Sequence, residues 1–475
     1  MTASTDLRQR AAGRWVIFAL LALTQFMIVL DAGIVNVALE SIRRDLGFAQ
    51  QDLAWVLDAY MLALGGFMLL GGRVADLVGR RRLILSGLVL FVLASLACGV
   101  STQAWHLIAG RAAQGLGAAL VAPAALALVT DTFAEGPART RALSIWASIG
   151  GLGGALGILI GGALTTAAWQ WAFLVNVPFG GLVLLAGFRL LPADRPQARG
   201  GMDLAGAVVG TGGLCFGVYA IVRGHQQGWL SAATLLELAA AALLLGAFAV
   251  RQQRAANPLV PHALVRRHTV LSNAANAAVG GLLFGVFFVV IALYLQQVRG
   301  YSPMVAAATT IPASAALFVG SQLAGPLLGR VAPVDALALG FVVQGAALAW
   351  WSVGLRPGVG IVTGFVLPAV VWCLGLGVSL VAAFVLCTMG VTGPVAGAAA
   401  GLVSSTLQIG GAVGVAVLTG VATAGLAPGG STSVSGYGHV LWAAAALAAA
   451  GLLTTLSLRG RRPAPAVPEP VSVTD

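Results

Sequence analysis

Two aspartates and one arginine sit inside stretches otherwise built from apolar residues: Asp31 in MIVLDAGIV, Asp58 in WVLDAYM and Arg111 in LIAGRAAQ. A charge in the middle of a membrane span costs ~2.5–3.5 kcal/mol on insertion scales, so each such residue needs a partner or a task. Asp31 lies seven residues before Ala38, Asp58 six after Asp52 and Arg111 six after Trp105. At ~1.5 Å rise per residue, all three fall about 9–11 Å below the same rim, one level on three neighbouring spans. A plain Asp–Arg lock between helices would use only one acid. Two acids facing one base leave a surplus carboxylate, and burial penalises its ionised form. Such a group can take up and release protons at working pH, and the surplus acid, Asp31 or Asp58, is expected to do so. No acid lies deep in the spans from residue 270 onward, and His106, His225, His262, His268 and His439 all fall at span ends or in loops.

The elements that must position these charges follow from composition. The chain has 475 residues, 59% hydrophobic and 9% charged, against roughly 25% charged in a soluble domain. Continuous apolar runs, long enough for helices of ~20 residues, occur at 15–38, 53–71, 83–101, 106–130, 142–165, 172–190, 204–222, 231–250, 270–296, 304–328, 335–355, 359–386, 398–424 and 438–458. The reading is an all-α integral membrane protein with about fourteen transmembrane helices. The runs do not alternate with period two, which excludes a barrel. The first run is long, carries Asp31 and leads into another span, so it is expected to stay as a span, not to be cleaved as a signal peptide.

Charge placement sets the expected orientation. The net charge is +11, and every one of the 26 basic residues is Arg. With the N-terminus inside, 20 of them fall on the cytoplasmic side and Arg43, Arg44, Arg223, Arg299 and Arg356 outside, with Arg111 left within a span. That asymmetry is the positive-inside pattern, with both termini cytoplasmic; it also removes the need to read the basic excess as a nucleic-acid surface. Without lysine, a phosphate-cradling Walker loop and a lysine Schiff base are both excluded. Cys98, Cys215, Cys373 and Cys387 form no C-x-x-C pair and read as packing residues.

The motifs around these residues resemble the major facilitator superfamily, in its fourteen-span drug:proton antiporter branch, over roughly residues 15–458. GGRVADLVGRRR (71–82) is similar to that family's G-x-L-A-D-R-x-G-R-R loop, with Val74 and Leu77 as departures. The resemblance implies a gate of Gly72, Asp76, Gly79 and Arg80, with Gly72 and Gly79 expected to permit a tight turn and Arg80 to reach Asp131. LDAGIVNVALE (30–40) and LIAGRAAQGLGAA (107–119) resemble the first-span and fourth-span signatures, the latter tying Arg111 to proton transfer. The fifth-span antiporter motif is matched by Gly153, Gly157, Gly161 and Gly162 as close-packing positions, with Ile158 where a Pro is usual. WQWAFLVNVPFGG (169–181) matches the next outer turn, and GPLLGR (325–330) is a degenerate partner of 71–82, as parallel half-repeats would give.

The implied architecture is a cytoplasmic N-terminus (1–14), a six-helix bundle (15–190), two additional helices (191–256), a second six-helix bundle (257–458) and a disordered tail (459–475). The implied activity is proton-coupled efflux of lipophilic or cationic compounds by alternating access. Proton coupling falls to Asp31, Asp58 and Arg111; substrate contact falls to Asp31, Asp58, Gln114, Gln322, Gln344 and Gln408. A dedicated exporter of one natural product or metabolite is the alternative, and uptake symport a third. An intramembrane enzyme would need a catalytic cluster, and a pore a ring of like residues; neither pattern is present in the sequence. Expected partners are a small-molecule substrate, protons and the bilayer, with no cofactor, no metal and no nucleic acid, in a monomer of the bacterial cytoplasmic membrane.

Overall fold

The computed structural model describes residues 2–48, 53, 55–193, 203–228, 231–255, 257–355, 359–391, 395–423 and 434–459. Among these residues the chain is helical throughout, with no strand. The first group of helices is α1 (Thr2–Leu46), α2 (Trp55–Val78), α3 (Arg80–Gly99), α4 (Ala104–Thr132), α5 (Pro137–Ala167), the single turn α6 (Trp171–Leu174) and α7 (Asn176–Leu190). A hairpin of α8 (Leu204–Gln227) and α9 (Ala232–Arg254) follows. The last group is α10 (Arg267–Gly285), extended by a π-helical stretch Val286–Val298, then α11 (Pro303–Leu328) and α12 (Pro333–Gly354). A π-helical turn Val362–Val366 leads into α13 (Leu367–Thr388), and α14 (Ala396–Thr423) and α15 (Val434–Leu456) complete it.

Twelve helical segments among the described residues are long and apolar enough to cross a bilayer. They coincide with twelve of the fourteen apolar runs. α5 occupies the place of the fifth run and α8 that of the seventh, the latter with a shorter apolar stretch, Ala205–Ala220. α1 starts well before its apolar portion Gly13–Leu39, so the segment before residue 15 is helical from Thr2 onward. The tail from residue 460 lies outside the described residues.

Packing follows one pattern twice. In the first group α1 packs on α5, α2 on α4, α3 on α4 and α3 on α7; in the last group α10 packs on α14, α11 on α13, α12 on α13 and α12 on α15. The groups meet along two seams, α5 against α11 and α2 against α14. Small residues set these distances, as membrane helices require when no hydrophobic drive separates lipid from protein. A Cβ on Gly157 would stand 2.7 Å from the Leu30 carbonyl oxygen, and one on Gly161 2.8 Å from Ile34 Cα, so α1 and α5 touch backbone to backbone. Gly153 faces Val29 on the same stripe, whereas Gly162 turns away to meet Met304 of α11.

The α8–α9 hairpin lies over the α2–α14 seam, with Gly66 of α2 pressed on Cys215 and Trp55 against Tyr219. Asp203 caps α8 through the Gly206 amide at 3.0 Å and receives Arg251 Nη2 of α9 at 2.7 Å. The Arg251 hydrogen bond holds the Asp203 carboxyl below the usual carboxylate range.

Candidate transport site and gate

Asp31 and Arg111 meet inside the first group. Arg111 Nη1 donates to Asp31 Oδ2 at 2.6 Å, and both side chains are 0% exposed. The approach of α4 to α2 that makes room for this is fixed at Gly115, where a Cβ would stand 3.1 Å from the Tyr60 carbonyl carbon. That contact lays the Tyr60 ring under the guanidinium, 4.2 Å from centroid to Cζ, a cation–π arrangement strengthened by the dry surroundings. Arg111 Nε donates to the Val56 carbonyl at 2.9 Å. Gln114, one turn along α4, accepts from Arg111 Nη1 at 2.9 Å and donates to Ser95 at 2.7 Å and to Asp31 Oδ1 at 3.3 Å. Asn176, the first residue of α7, donates to Asp31 Oδ1 at 2.6 Å. Among the described residues Arg111 Nη2 has no hydrogen-bond partner.

Asp58 does not join this network. It is half-buried on α2 and has no hydrogen bond or ion pair among the described residues. The reason is helical phase. Val56 and Tyr60 form the α2 face that receives Arg111, and at ~3.6 residues per turn a residue two positions from each points about 200° away. Equal depth placed the three charges on one level but not on one face. The buried centre is thus one acid with one base, formally neutral, and Asp58 is a separate carboxylate.

The arginine-rich end of the molecule holds a second constellation. Gly79, with φ +110°, makes the turn between α2 and α3. Gly72 does not take part in that turn, contrary to the expectation from the motif: α2 runs on to Val78, and Gly72 packs on α14, where a Cβ would stand 2.8 Å from Gly401 Cα. Arg80 pairs with Asp131 at the end of α4 and lies 3.4 Å from Asp76. Asp76, fully buried, accepts from the amides of Gly397 and Ala398 at the start of α14. A few residues along, Glu135 accepts from the Gly390 amide at 2.8 Å and Arg139 donates to the Thr388 carbonyl at 3.0 Å. These contacts close the arginine-rich end between the two groups.

The remaining glutamines separate by environment. Gln322 of α11 donates to Ser148 of α5 at 2.8 Å, beside a Ser148–Ser321 hydrogen bond of 2.6 Å, so it belongs to the α5–α11 seam. Gln344 is buried between α12 and α13 and donates to Ser379 at 2.8 Å. Gln408 is half-buried on α14 and has no hydrogen bond among the described residues. Sequence reasoning missed Asn176, Ser95, Tyr60, Glu135 and Arg139. The signal for Asn176 was available, because it is the one amide in the apolar run that follows Gln170.

The geometry is a polar pair sealed between helices of one bundle, two matching bundles, and a set of polar contacts that joins them at one end. The Major Facilitator Superfamily pattern matches residues 21–415. The chain belongs to that superfamily. It is 40% identical over 419 residues to the cephamycin export protein CmcT of Amycolatopsis lactamdurans, covering 87% of this chain and 86% of that one. It is 39% identical over 461 residues to the puromycin resistance protein pur8 of Streptomyces alboniger, covering 94% and 90%. Its fold is similar to that of the human organic anion transporter MFSD10 (TETRAN), with a TM-score of 0.65 at 15% identity, covering 93% and 99% of the two chains. This major facilitator therefore has exporters and resistance proteins among its relatives along nearly its whole length.

Proposed function

We propose that this transporter expels small lipophilic or cationic compounds across a bacterial cytoplasmic membrane in exchange for protons. The observation that carries the reading is the Asp31–Arg111 pair, fully buried and ringed by amide donors. In a site of low dielectric an ion pair persists only while both members are charged. A proton arriving at Asp31 removes one charge and leaves Arg111 uncompensated, with its Nη2 already without a hydrogen-bond partner among the described residues. The pair must then open or recruit another acceptor, and either response moves α1 against α4.

The arginine-rich end is read as cytoplasmic, with both termini there and α5 and α8 completing fourteen spans. Its latch is closed in this conformation, and the inward-facing member of an alternating-access pair would need it open. Opening requires Asp76 to leave the α14 amides and Arg139 to leave Thr388. Asp58, half-buried and unpaired among the described residues, is the proposed contact for a cationic substrate; Gln408 is the proposed neutral contact from the other bundle. Arg80 and Asp131 brace the latch from behind, and the monomer is the working unit.

The likeness to a cephamycin export protein favours a second reading, a dedicated exporter of one natural product. Both are tested by reconstituting the protein in liposomes under an imposed proton gradient. A panel of ethidium, tetraphenylphosphonium, puromycin and cephamycin C is then offered. Gradient-dependent movement of several cations supports the broad exporter, and movement of a single compound supports the dedicated one. Movement that ignores the proton gradient refutes the coupling in both.

A further inference from the structure

Among the described residues Asp31 is held by three donors and no acceptor. Oδ2 receives Arg111 at 2.6 Å; Oδ1 receives Asn176 at 2.6 Å and, more weakly, Gln114 at 3.3 Å. Gln114 makes its shorter bond to Ser95, at 2.7 Å, so Asn176 is the principal donor to Oδ1. This donor set fits an ionised carboxylate. A protonated one presents an O–H to neighbours that are themselves donors, and a buried donor without an acceptor is costly.

Of the surrounding groups, few can answer that O–H. Arg111 has only donors. The Gln114 carbonyl oxygen already accepts from Arg111 and lies 3.5 Å from Cys98 Sγ. Tyr60, from α2, directs its hydroxyl to the Ile28 carbonyl at 3.4 Å. Ser95 of α3 donates to the Phe91 carbonyl at 2.8 Å. α5 packs on α1 through Gly157 and Gly161 and carries no titratable residue between Ser148 and Ala167. Asn176 differs from all of these. It is 1% exposed, it touches Oδ1 directly, and a half-turn of its amide replaces an NH₂ donor with a carbonyl acceptor at the same place. Its backbone is fixed at the start of α7, because the preceding turn is pinned to α1 by Trp169 Nε1 donating to Asp45 at 2.6 Å.

We propose that Asn176 is a positioning residue of the Asp31 switch: it donates to the ionised acid and, with its amide turned over, accepts from the protonated one. α7 then stays tied to α1 in both states, while Arg111 of α4 is bound in only one. The proton travels from the aqueous side to Asp31 Oδ1 and leaves by the reverse step; no other bond is made or broken. This inference rests on the proton-exchange reading above and adds the residue that makes the switch reversible without loosening its bundle.

The test is infrared difference spectroscopy of the purified full chain across a pH titration, following the protonated-carboxyl band that disappears in Asp31→Asn. Asn176→Leu keeps the branching at Cγ and removes the donor, so Asp31 should hold its proton about tenfold more tightly, a displacement of about one pH unit upward. Asn176→Asp is isosteric and places a second carboxylate beside the first; the two share one proton and the midpoint should rise further. It also serves as the folded variant if the leucine substitution does not yield protein. In wild type, the band should additionally shift in frequency relative to Asn176→Leu, since its O–H has lost the amide acceptor there. A wild-type midpoint that both variants leave in place overturns the role of Asn176 while leaving proton exchange intact. Absence of any Asp31 band in wild type, at every pH at which the protein is folded, refutes proton exchange itself.

Discussion

Asp76, near the end of α2, accepts from the amides of Gly397 and Ala398 at the start of α14, each at 2.9 Å. A helix leaves its first four amides unpartnered, and here an acid from the other bundle satisfies two of them. The carboxylate also meets the positive end of the α14 dipole. Asp76→Asn keeps the size and loses the charge, which should cost the closed state about 1 kcal/mol. The ratio of closed to open molecules then falls about fivefold. Spin labels on the arginine-rich ends of α2 and α14 report this directly, and an unchanged distance distribution would remove Asp76 from the latch.

Arg139 grips the other end of the same connection. Its donor to Thr388 sits at the last residue of α13, the negative end of that helix, while Asp76 sits at the positive end of the next. Two complementary charges on two helix termini act on separate groups, so their effects should add. Arg139→Gln should open the gate by a factor similar to that of Asp76→Asn, and the double variant by their product, with a coupling below about 0.5 kcal/mol. A larger coupling in the spin-label populations would mean that the two contacts form one cooperative unit.

The sequence made legible whatever depends on composition and on position along one helix. Charge in an apolar run marked Asp31 and Arg111, the G-x-L-A-D-like stretch marked the turn at Gly79, and Asp131 was identified as a partner for Arg80. Phase around the axis was harder. Asp58 shares its depth with Arg111 but faces elsewhere, because two residues turn a helix by more than half a circle. Gly72 was read as turn chemistry and is a contact surface for α14, since what it meets is more than 300 residues away in the chain. Asn176, Arg139 and Glu135 act through partners 145 to 255 positions distant, and no local pattern encodes such a pairing.

Asp31→Asn should abolish gradient-driven efflux while the protein still inserts. The variant leaves Arg111 buried against a neutral amide, and breaking a buried pair from one side typically costs about 3–5 kcal/mol. Asp31→Asn with Arg111→Gln removes both charges and should recover much of the lost thermal stability without recovering transport. That separation distinguishes a switch from a lock. If the double variant regains gradient-driven efflux together with its melting temperature, the pair is only a structural tie between α1 and α4.

Asp58 gives the opposite expectation. It makes no hydrogen bond or ion pair with Arg111 or the latch among the described residues, so Asp58→Asn should leave the response to an imposed proton gradient unchanged for neutral substrates. What it should lose is attraction for cations. A half-exposed carboxylate at ~4 Å from an ammonium or iminium group contributes roughly 1–4 kcal/mol, depending on how much water remains between them. Efflux of ethidium and tetraphenylphosphonium should therefore need at least several-fold higher concentration to reach half its maximal rate, with the maximal rate itself little altered. A variant that fails equally with neutral and cationic compounds would place Asp58 in the proton path, and the surplus acid would then belong to the switch after all, in a conformation where α2 has turned to present it.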